Sequence, residues 1–353
     1  MTLTLTVDGD RWRAHLRQVA DANPGLVPVL KGNGYGFGLH RLARRASWLG
    51  VDTVAVGTYA EVAEVLSRFD GDVLVLSPWR SFLPELAEPE AYDPRVVHTV
   101  GRVADLRALG EAAPAGTRVV LEGVTSMARH GLDRHALSDA AAALGRLRLV
   151  GFAVHLPMTG GHLDETDRWA AAVEASQLAG RFEGRPQLFV SHLGAGELAT
   201  LRERRPGLDV RPRVGTQLWL GDRGALRVRA QVLDAHEVER GERIGYRQRP
   251  MPVGGTLLVV SGGTTHGIGL EAPTAASGLR QRATSLAKGG LQAAGLALSP
   301  FRIAGKQRWF AEPPHMQASM LLLPSSVPVP AVGDELDVQV RFTTTHFDVV
   351  DIS

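Results

Sequence analysis

The sequence contains no cysteine. Disulfides, thiolate metal sites and a cysteine nucleophile are thereby excluded, as is the cross-linked framework on which small secreted domains rely. Nor does either sign of charge dominate: 39 basic against 37 acidic residues leave a formal net charge of +2. So close a balance gives no reason to expect a nucleic-acid or membrane partner, and clusters such as Arg202, Arg204 and Arg205 read as solvated faces. No apolar run approaches the length that spans a bilayer. The opening MTLTLTVDGDRW alternates like a strand and lacks the charged-then-apolar pattern of a secretory signal. These absences point to a soluble cytoplasmic protein.

What is present is ordinary globular material, 44% hydrophobic and 22% charged over 353 residues, long enough for two domains. From about residue 10 to 225 short apolar runs alternate with amphipathic stretches. The runs are Leu26–Lys31, Thr53–Gly57, Val73–Ser77, Val96–Val100, Arg118–Glu122, Leu149–His155, Gln187–His192 and Leu208–Arg213. Helical patterns fall between them at Leu39–Leu49, Tyr59–Phe69, Phe82–Ala87, Val103–Ala112, Arg134–Leu144, Glu165–Phe182 and Gly196–Arg204. Eight such units predict a parallel (β/α)8 barrel of the TIM type. A doubly wound open sheet reads much the same over any half of the region, and the count of eight favours closure. From residue 226 to 353 the pattern changes to runs separated by Gly, Pro and Ser, as in Gln231–Val238, Gly255–Val260, Met320–Leu323 and Leu336–Thr343. These predict a C-terminal, mainly β domain, which the N-terminal strand 1–9 would join. The stretch 270–300 is ambiguous between a loose helix and an irregular loop.

In such a barrel chemistry gathers at the C-terminal strand ends. Reading only those ends gives Lys31, Glu122 with Arg129, His155, His192, and Arg213 with Gly215. Ionisable groups at the ends of buried strands are costly without partners. Each alone is more simply a packing or surface residue; several on different strands would converge on one mouth. Lys31 is the sharpest case. It ends the run Val27–Leu30 and is followed by Gly32-Asn33-Gly34-Tyr35-Gly36, a loop free to turn sharply and lacking the GK[ST] ending of a nucleotide loop. A lysine leaving a buried strand into a mouth is a candidate amine for imine formation. No His, Asp and Glu spacing requires a metal, and no Gly-x-Ser-x-Gly elbow competes.

The stretch Val27-Pro-Val-Leu-Lys31-Gly-Asn-Gly-Tyr35-Gly-Phe-Gly38 resembles the cofactor-lysine motif of the alanine racemase family. Val7-Asp-Gly-Asp10, Thr125-Ser-Met-Ala-Arg129-His-Gly131, Gly151-Phe-Ala-Val-His155, Ser191-His192, Arg213-Val-Gly215 and Gly241-Glu-Arg-Ile-Gly-Tyr246 continue the resemblance in order. It implies a fold-type III enzyme of pyridoxal 5'-phosphate, a barrel followed by a β domain, assembled as a homodimer with shared active sites. Lys31 would carry the cofactor and act as base on one substrate face, and Tyr246 from the other subunit would act on the opposite face. Arg213 would meet the pyridine nitrogen, with His155 holding Arg213. Tyr35, His192, Gly196, Gly215 and Thr216 would complete the cofactor site. Arg129 would orient the substrate carboxylate, Glu122 would supply a negative charge beside it, and Met316 would line the substrate entrance.

Three segments depart from the family pattern. Ser261-Gly-Gly-Thr264-Thr265-His266-Gly267 lacks a tyrosine, Ala195-Gly196 stands in place of asparagine-serine, and His315-Met316-Gln317 lacks an aspartate. A missing gate tyrosine implies an entrance wide enough for more than alanine, and Thr264, Thr265 and His266 become alternative contacts. The reading is therefore an amino-acid racemase acting on a free or peptidyl residue. Other chemistry on the scaffold, such as elimination or decarboxylation, is a second reading, although the decarboxylases of this fold type use a cysteine that this chain lacks. The alternative of another class is a non-catalytic or regulatory pyridoxal-phosphate-binding protein. Retention of Tyr246 favours catalysis.

Overall fold

The computed structural model describes residues 2–270 and 297–353, so the ambiguous stretch lies outside the described residues over 271–296. Two compact units make up the chain: Arg13–Gly221, and the described residues of Met1–Trp12 with Asp222–Ser353.

The chain opens with β1 (Leu3–Val7) and α1 (Gly9–Ala22), and then eight parallel strands follow. These are β2 (Val27–Leu30), β3 (Thr53–Val56), β4 (Asp72–Val75), β5 (Val96–Val100), β6 (Arg118–Gly123), β7 (Arg148–Val154), β8 (Phe182–Val190) and β9 (Asp209–Val214). They form a closed barrel in sequence order, sealed where Val27 and Pro28 of β2 pair with Arg213 and Val214 of β9. Each strand sends alternate residues inward. Val27, Val29, Ala55, Leu74, Val97, Val120, Ala153 and Phe189 fill the interior as one cluster, which makes it a packed core and not a pore.

Outside lie α2 (Leu39–Leu49), α3 (Val62–Leu66), α4 (Val103–Ala112), α5 (Leu137–Ala143), α6 (Leu163–Glu174), α7 (Ala195–Arg204) and α8 (Thr216–Leu220). In α2 the residues Leu39, Leu42, Ala43 and Ala46 are buried, the i, i+3, i+4, i+7 stripe of a helix with one face on the core. Each leucine so buried contributes about 1.5–3 kcal/mol. The helix expected at Phe82–Ala87 is not α-helical. Pro84 and Pro89 each open a single 3-10 turn, at Pro84–Ala87 and Pro89–Tyr92, and the residues before them, Leu83 and Glu88, are held extended, so that no helix runs through. The pattern at Glu165–Phe182 likewise ends as α-helix at Glu174 and finishes as the 3-10 turn Gln177–Arg181.

His98 leaves β5 on the face opposite Val97 and is fully buried against Tyr59, whose hydroxyl lies 2.8 Å from Nδ1. Burial first, then the charge of Arg118, pushes the ring down to about 4. In the unfolded chain a histidine titrates near 6.5. Between those values the unfolded state binds a proton that the folded state refuses, so this stabilisation is complete above about pH 6.5 and is lost as pH falls towards 4. The His98 ring resonances are therefore expected to stay in the neutral form above about pH 5, while the thermal midpoint declines through this window. A His98 that titrates near 6.5 in the folded protein would refute the assignment.

The second unit is antiparallel apart from one pairing. Its strands are β1 with β10 (Leu226–Val238), β11 (Arg243–Ile244), β12 (Arg249–Pro250), β13 (Gly255–Ser261), β14 (Leu298–Ile303), β15 (Lys306–Phe310), β16 (Ala318–Pro324), β17 (Glu335–Val338) and β18 (Val349–Ile352). Eight form one sheet in the order β13-β16-β15-β14-β17-β10-β1-β18, with β13 also pairing β10, and β1 pairs β18 in parallel. In β10, Val228, Ala230 and Val232 are buried while Arg227, Arg229 and Gln231 turn outward, the period-two pattern of a half-covered sheet. The short ribbon β11–β12 carries Tyr246 at its turn.

Candidate active site

A residue two positions beyond an interior residue of a strand follows it on the same face. Lys31, Glu122, His155 and Ser191 stand in that relation to Val29, Val120, Ala153 and Phe189 of the barrel core. Arg211 and Arg213 share a face of β9 but serve opposite ends. Arg211 pairs with Asp52 and donates to the Gly25 carbonyl at 2.9 Å, both just before strands begin. Arg213 belongs to the C-terminal mouth.

There Arg213 is buried, and its Nη2 donates to the Val154 carbonyl at 2.8 Å. That carbonyl takes the place expected of the His155 ring, because His155 is engaged elsewhere: its Nδ1 lies 3.1 Å from Ser191 Oγ. Arg213 Nε is buried without a hydrogen-bond partner among the described residues. Such orphan donors are uncommon in protein interiors and call for an explanation. Burial weakens the Arg213 guanidinium's hold on its proton, and Glu122 opposes the effect.

Glu122 is itself buried at the end of β6. Desolvation raises its carboxyl above the ordinary range, against the pull of Arg213 and then Arg129. His155 is pushed down to about 3, by burial and then by Arg213, Arg129, His192 and Lys31. It is therefore a neutral ring throughout the physiological range. His192 is lowered by burial, then by Arg213, Lys31 and His162. These mutual influences place Lys31, Glu122, Arg129, His155, His192 and Arg213 within electrostatic reach of one another at one mouth. Lys31 and Arg129 are exposed there. His192 joins by breaking the strand alternation: its φ is +58°, and its ring meets that of His155 edge-on at 5.6 Å.

The loop after Lys31 is anchored by Glu61, whose carboxylate accepts the Gly32 N–H at 2.7 Å and the Gly57 N–H at 2.6 Å. Tyr35, at φ +55°, turns back so that its hydroxyl covers Gly215. Burial and the Glu61 charge raise the Tyr35 phenol's pKa, which keeps it a protonated donor. A Cβ at residue 215 would lie 2.1 Å from the Tyr35 hydroxyl. Trp219 of α8 donates to the Val29 carbonyl at 2.8 Å and holds this corner against β2, with Thr216 exposed beside it. Gly215→Ala is expected to lower stability by about 1–3 kcal/mol through overpacking. Much of that loss should disappear in the Tyr35→Phe background. Thermal melts of the two single variants and the double variant check this, and an additive double variant would show that Tyr35 is not the obstacle.

Gly196 lies in the first turn of α7, exposed. Glu197 already occupies this end, accepting the Gly194 N–H at 2.8 Å and the His162 N–H at 3.0 Å. Thr265 and His266 are also committed within their own unit: Thr265 Oγ1 donates to the Met316 carbonyl at 2.6 Å, and His266 Nε2 faces Asp348 at 3.1 Å. In the same unit Tyr246 is 86% exposed, at the rim of a cleft of about 700 Å³ that Met316 also lines. Among the described residues no cluster of three or more His, Cys, Asp or Glu is gathered to hold a metal. No described helix is long and apolar enough to cross a membrane.

The sequence profile described as "Alanine racemase, N-terminal domain" matches residues 7–219. The chain belongs to this family. An alanine racemase of Nitratidesulfovibrio vulgaris (strain DP4) is 28% identical over 258 residues, and the match spans 66% of this chain and 66% of that relative's length. Among solved structures, alanine racemase from Bartonella henselae with covalently bound pyridoxal phosphate superposes with a TM-score of 0.66 at 17% identity, covering 96% of this chain and 91% of that one. Histidine racemase from Leuconostoc mesenteroides subsp. sake gives 0.63 at 16% identity, with 95% and 87% covered. At these identities the structures establish the shared fold.

Sequence reading passed over Ser191 and Glu61 as partners of the site, and Glu312 altogether. Glu312 carried a signal of its own: Glu312-Pro-Pro-His315 sets an acid and a histidine three apart across a stiff turn.

Proposed function

We propose that the chain is a pyridoxal 5'-phosphate-dependent amino-acid racemase, working as a cytoplasmic homodimer in which each barrel takes its second base from the partner. The observation that carries this reading is the buried Nε–H of Arg213, without a partner among the described residues, at the mouth that also holds Lys31. A pyridine nitrogen is an acceptor that would satisfy it. An arginine there is a poor proton donor, which limits electron withdrawal by the ring and discourages side reactions. Lys31 would attach the cofactor, while Tyr35, Gly215 and Thr216, with His192, would receive its phosphate. When bound, the cofactor supplies an electron sink for the substrate α-carbon.

The remaining roles belong to this chain's side chains. Arg129 orients the substrate carboxylate, backed by the Glu122 charge. His155, uncharged and engaged with Ser191, lines the mouth without adding another cation. Racemisation needs acid–base groups on opposite faces of the α-carbon. Lys31 serves one face and the partner subunit's Tyr246 the other. The exposure of Tyr246 and Met316 in the single chain supports burial against a second copy. The division into a barrel domain, 10–225, and a β domain, 226–353 with strand 1–9, is part of the same reading. The missing gate tyrosine and the open cleft beside Tyr246 support substrates larger than alanine.

The test is incubation of the protein and pyridoxal 5'-phosphate with each ordinary L-amino acid, followed by chiral chromatography. A D-enantiomer should accumulate from at least one. Absence of any D-product from the whole set, with cofactor bound, would remove the racemase reading in favour of a cofactor-binding role.

A further inference from the structure

The turn that presents Tyr246 is built on a buried carboxylate. Glu312 is 3% exposed, and its Oε2 accepts the Tyr246 backbone N–H at 3.1 Å. Its Oε1 lies 2.5 Å from His315 Nε2. The preceding Gly245 has φ +70°, and a Cβ there would fall 2.0 Å from Glu312 Oε2, so the carboxylate occupies the only room a side chain would have. The His315 ring in turn backs the Tyr246 ring, with centroids 4.7 Å apart and planes tilted by 51°. One acid thus binds the backbone of the tyrosine and the imidazole that flanks its side chain.

A turn of this kind could be held by any backbone-accepting oxygen, and a neutral amide would avoid the cost of taking a carboxylate out of water. What a carboxylate adds is control of the proton on His315. It accepts only, so it fixes an N–H on Nε2 and leaves Nδ1 as the second, independent nitrogen. We propose that Glu312 and His315 are a positioning pair for Tyr246: the carboxylate locks the turn and the imidazole's tautomer and orientation, and the imidazole holds the phenol in one pose. The proposal rests on the reading of Tyr246 as second base. It adds two residues on this chain's own β unit to that base's machinery.

Glu312→Gln separates this role from simple support. A glutamine keeps the shape and can still accept the Tyr246 N–H, but its amide then donates to His315 Nε2 and drives the proton to Nδ1. Nitrogen NMR of the His315 ring should show an Nε2–H form in the wild type and an Nδ1–H form in E312Q, with or without cofactor. Turnover is read as D-enantiomer formed by the holoenzyme from a mixture of the ordinary L-amino acids, by chiral chromatography, and then from the fastest-converted one alone, because racemisation needs both faces. E312Q should lose about 10- to 100-fold in kcat with KM changed less than about threefold. His315→Phe, which keeps an aromatic ring and leaves Glu312 on the turn, should lose about 5- to 20-fold in kcat. Wild-type kcat in both variants, alongside an impaired Y246F, would overturn the pair and leave the racemase reading intact. An Nδ1–H form in the wild type would also overturn it. A Y246F protein as active as wild type would remove both the second-base reading and the pair.

Discussion

Lys31→Ala is expected to abolish the visible absorption band of the cofactor-loaded protein and to lower racemisation by more than about 10⁴-fold. In the wild type, addition of pyridoxal 5'-phosphate should produce a band that borohydride removes, and mass spectrometry should place the reduced adduct on Lys31. The expectation follows from the site's construction. Lys31 is the exposed amine at this mouth among the described residues, standing two residues past Val29 of the barrel core, and Glu61 fixes the backbone immediately after it. The other cations there among the described residues, Arg213 and Arg129, are guanidinium groups, which stay protonated and do not attack carbonyls. On the proposed reading, removing the amine removes both covalent attachment and one of the two bases, and no other cation among the described residues of the mouth can substitute. Arg213, Tyr35 and Gly215 are untouched, so K31A should still bind the cofactor non-covalently, with the absorption of the free aldehyde. A wild-type protein with no borohydride-sensitive band at saturating cofactor would sink the assignment of Lys31. A K31A protein that keeps the band would place the attachment on another amine.

The barrel was legible because its signal is periodic and repeated. Eight apolar runs spaced by helical patterns leave few alternatives, and the same period of two that buries Val120, Ala153 and Val29 also delivers Glu122, His155 and Lys31 to one end. Proline was the cue underused at Phe82–Ala87, where the pattern suggested a helix, although Pro84 and Pro89 hold the residues before them extended and confine the chain to turns. In the β unit, Leu298–Ile303, Lys306–Phe310 and Val349–Ile352 escaped notice because charges and a proline interrupt their alternation. Partners were harder to read than site residues. That Ser191 rather than Arg213 faces His155 Nδ1 depends on which side chains meet across β7 and β8, a distance of tens of residues that no local pattern encodes. Arg211 and Arg213 are alternate residues of one strand, a spacing that gives them one face and says nothing of which end each serves. The barrel separates them by length along one strand, so that one ties the base of the barrel to Asp52 and the other waits at the mouth.

Tyr246→Phe should divide the two half-reactions. If Lys31 and the partner's Tyr246 address opposite faces of the α-carbon, losing the phenol removes proton exchange with solvent for one enantiomer and leaves it for the other. Racemisation, which needs both faces, should fall by about 10²- to 10⁴-fold, the usual contribution of a positioned acid–base group. Phenylalanine keeps the ring that packs against His315, and the Glu312 bond to the backbone at this position does not depend on the hydroxyl. The turn should therefore survive, and a thermal melt close to wild type would confirm it. The decisive measurement is deuterium uptake from D2O into each enantiomer of the substrate separately. Equal loss for both enantiomers, with the melt and the cofactor band unchanged, would mean that the hydroxyl serves a step common to the two faces. Equal retention for both would mean that a single base, with Lys31 the candidate, reaches both faces, and the exposed Tyr246 would then be only a dimer contact.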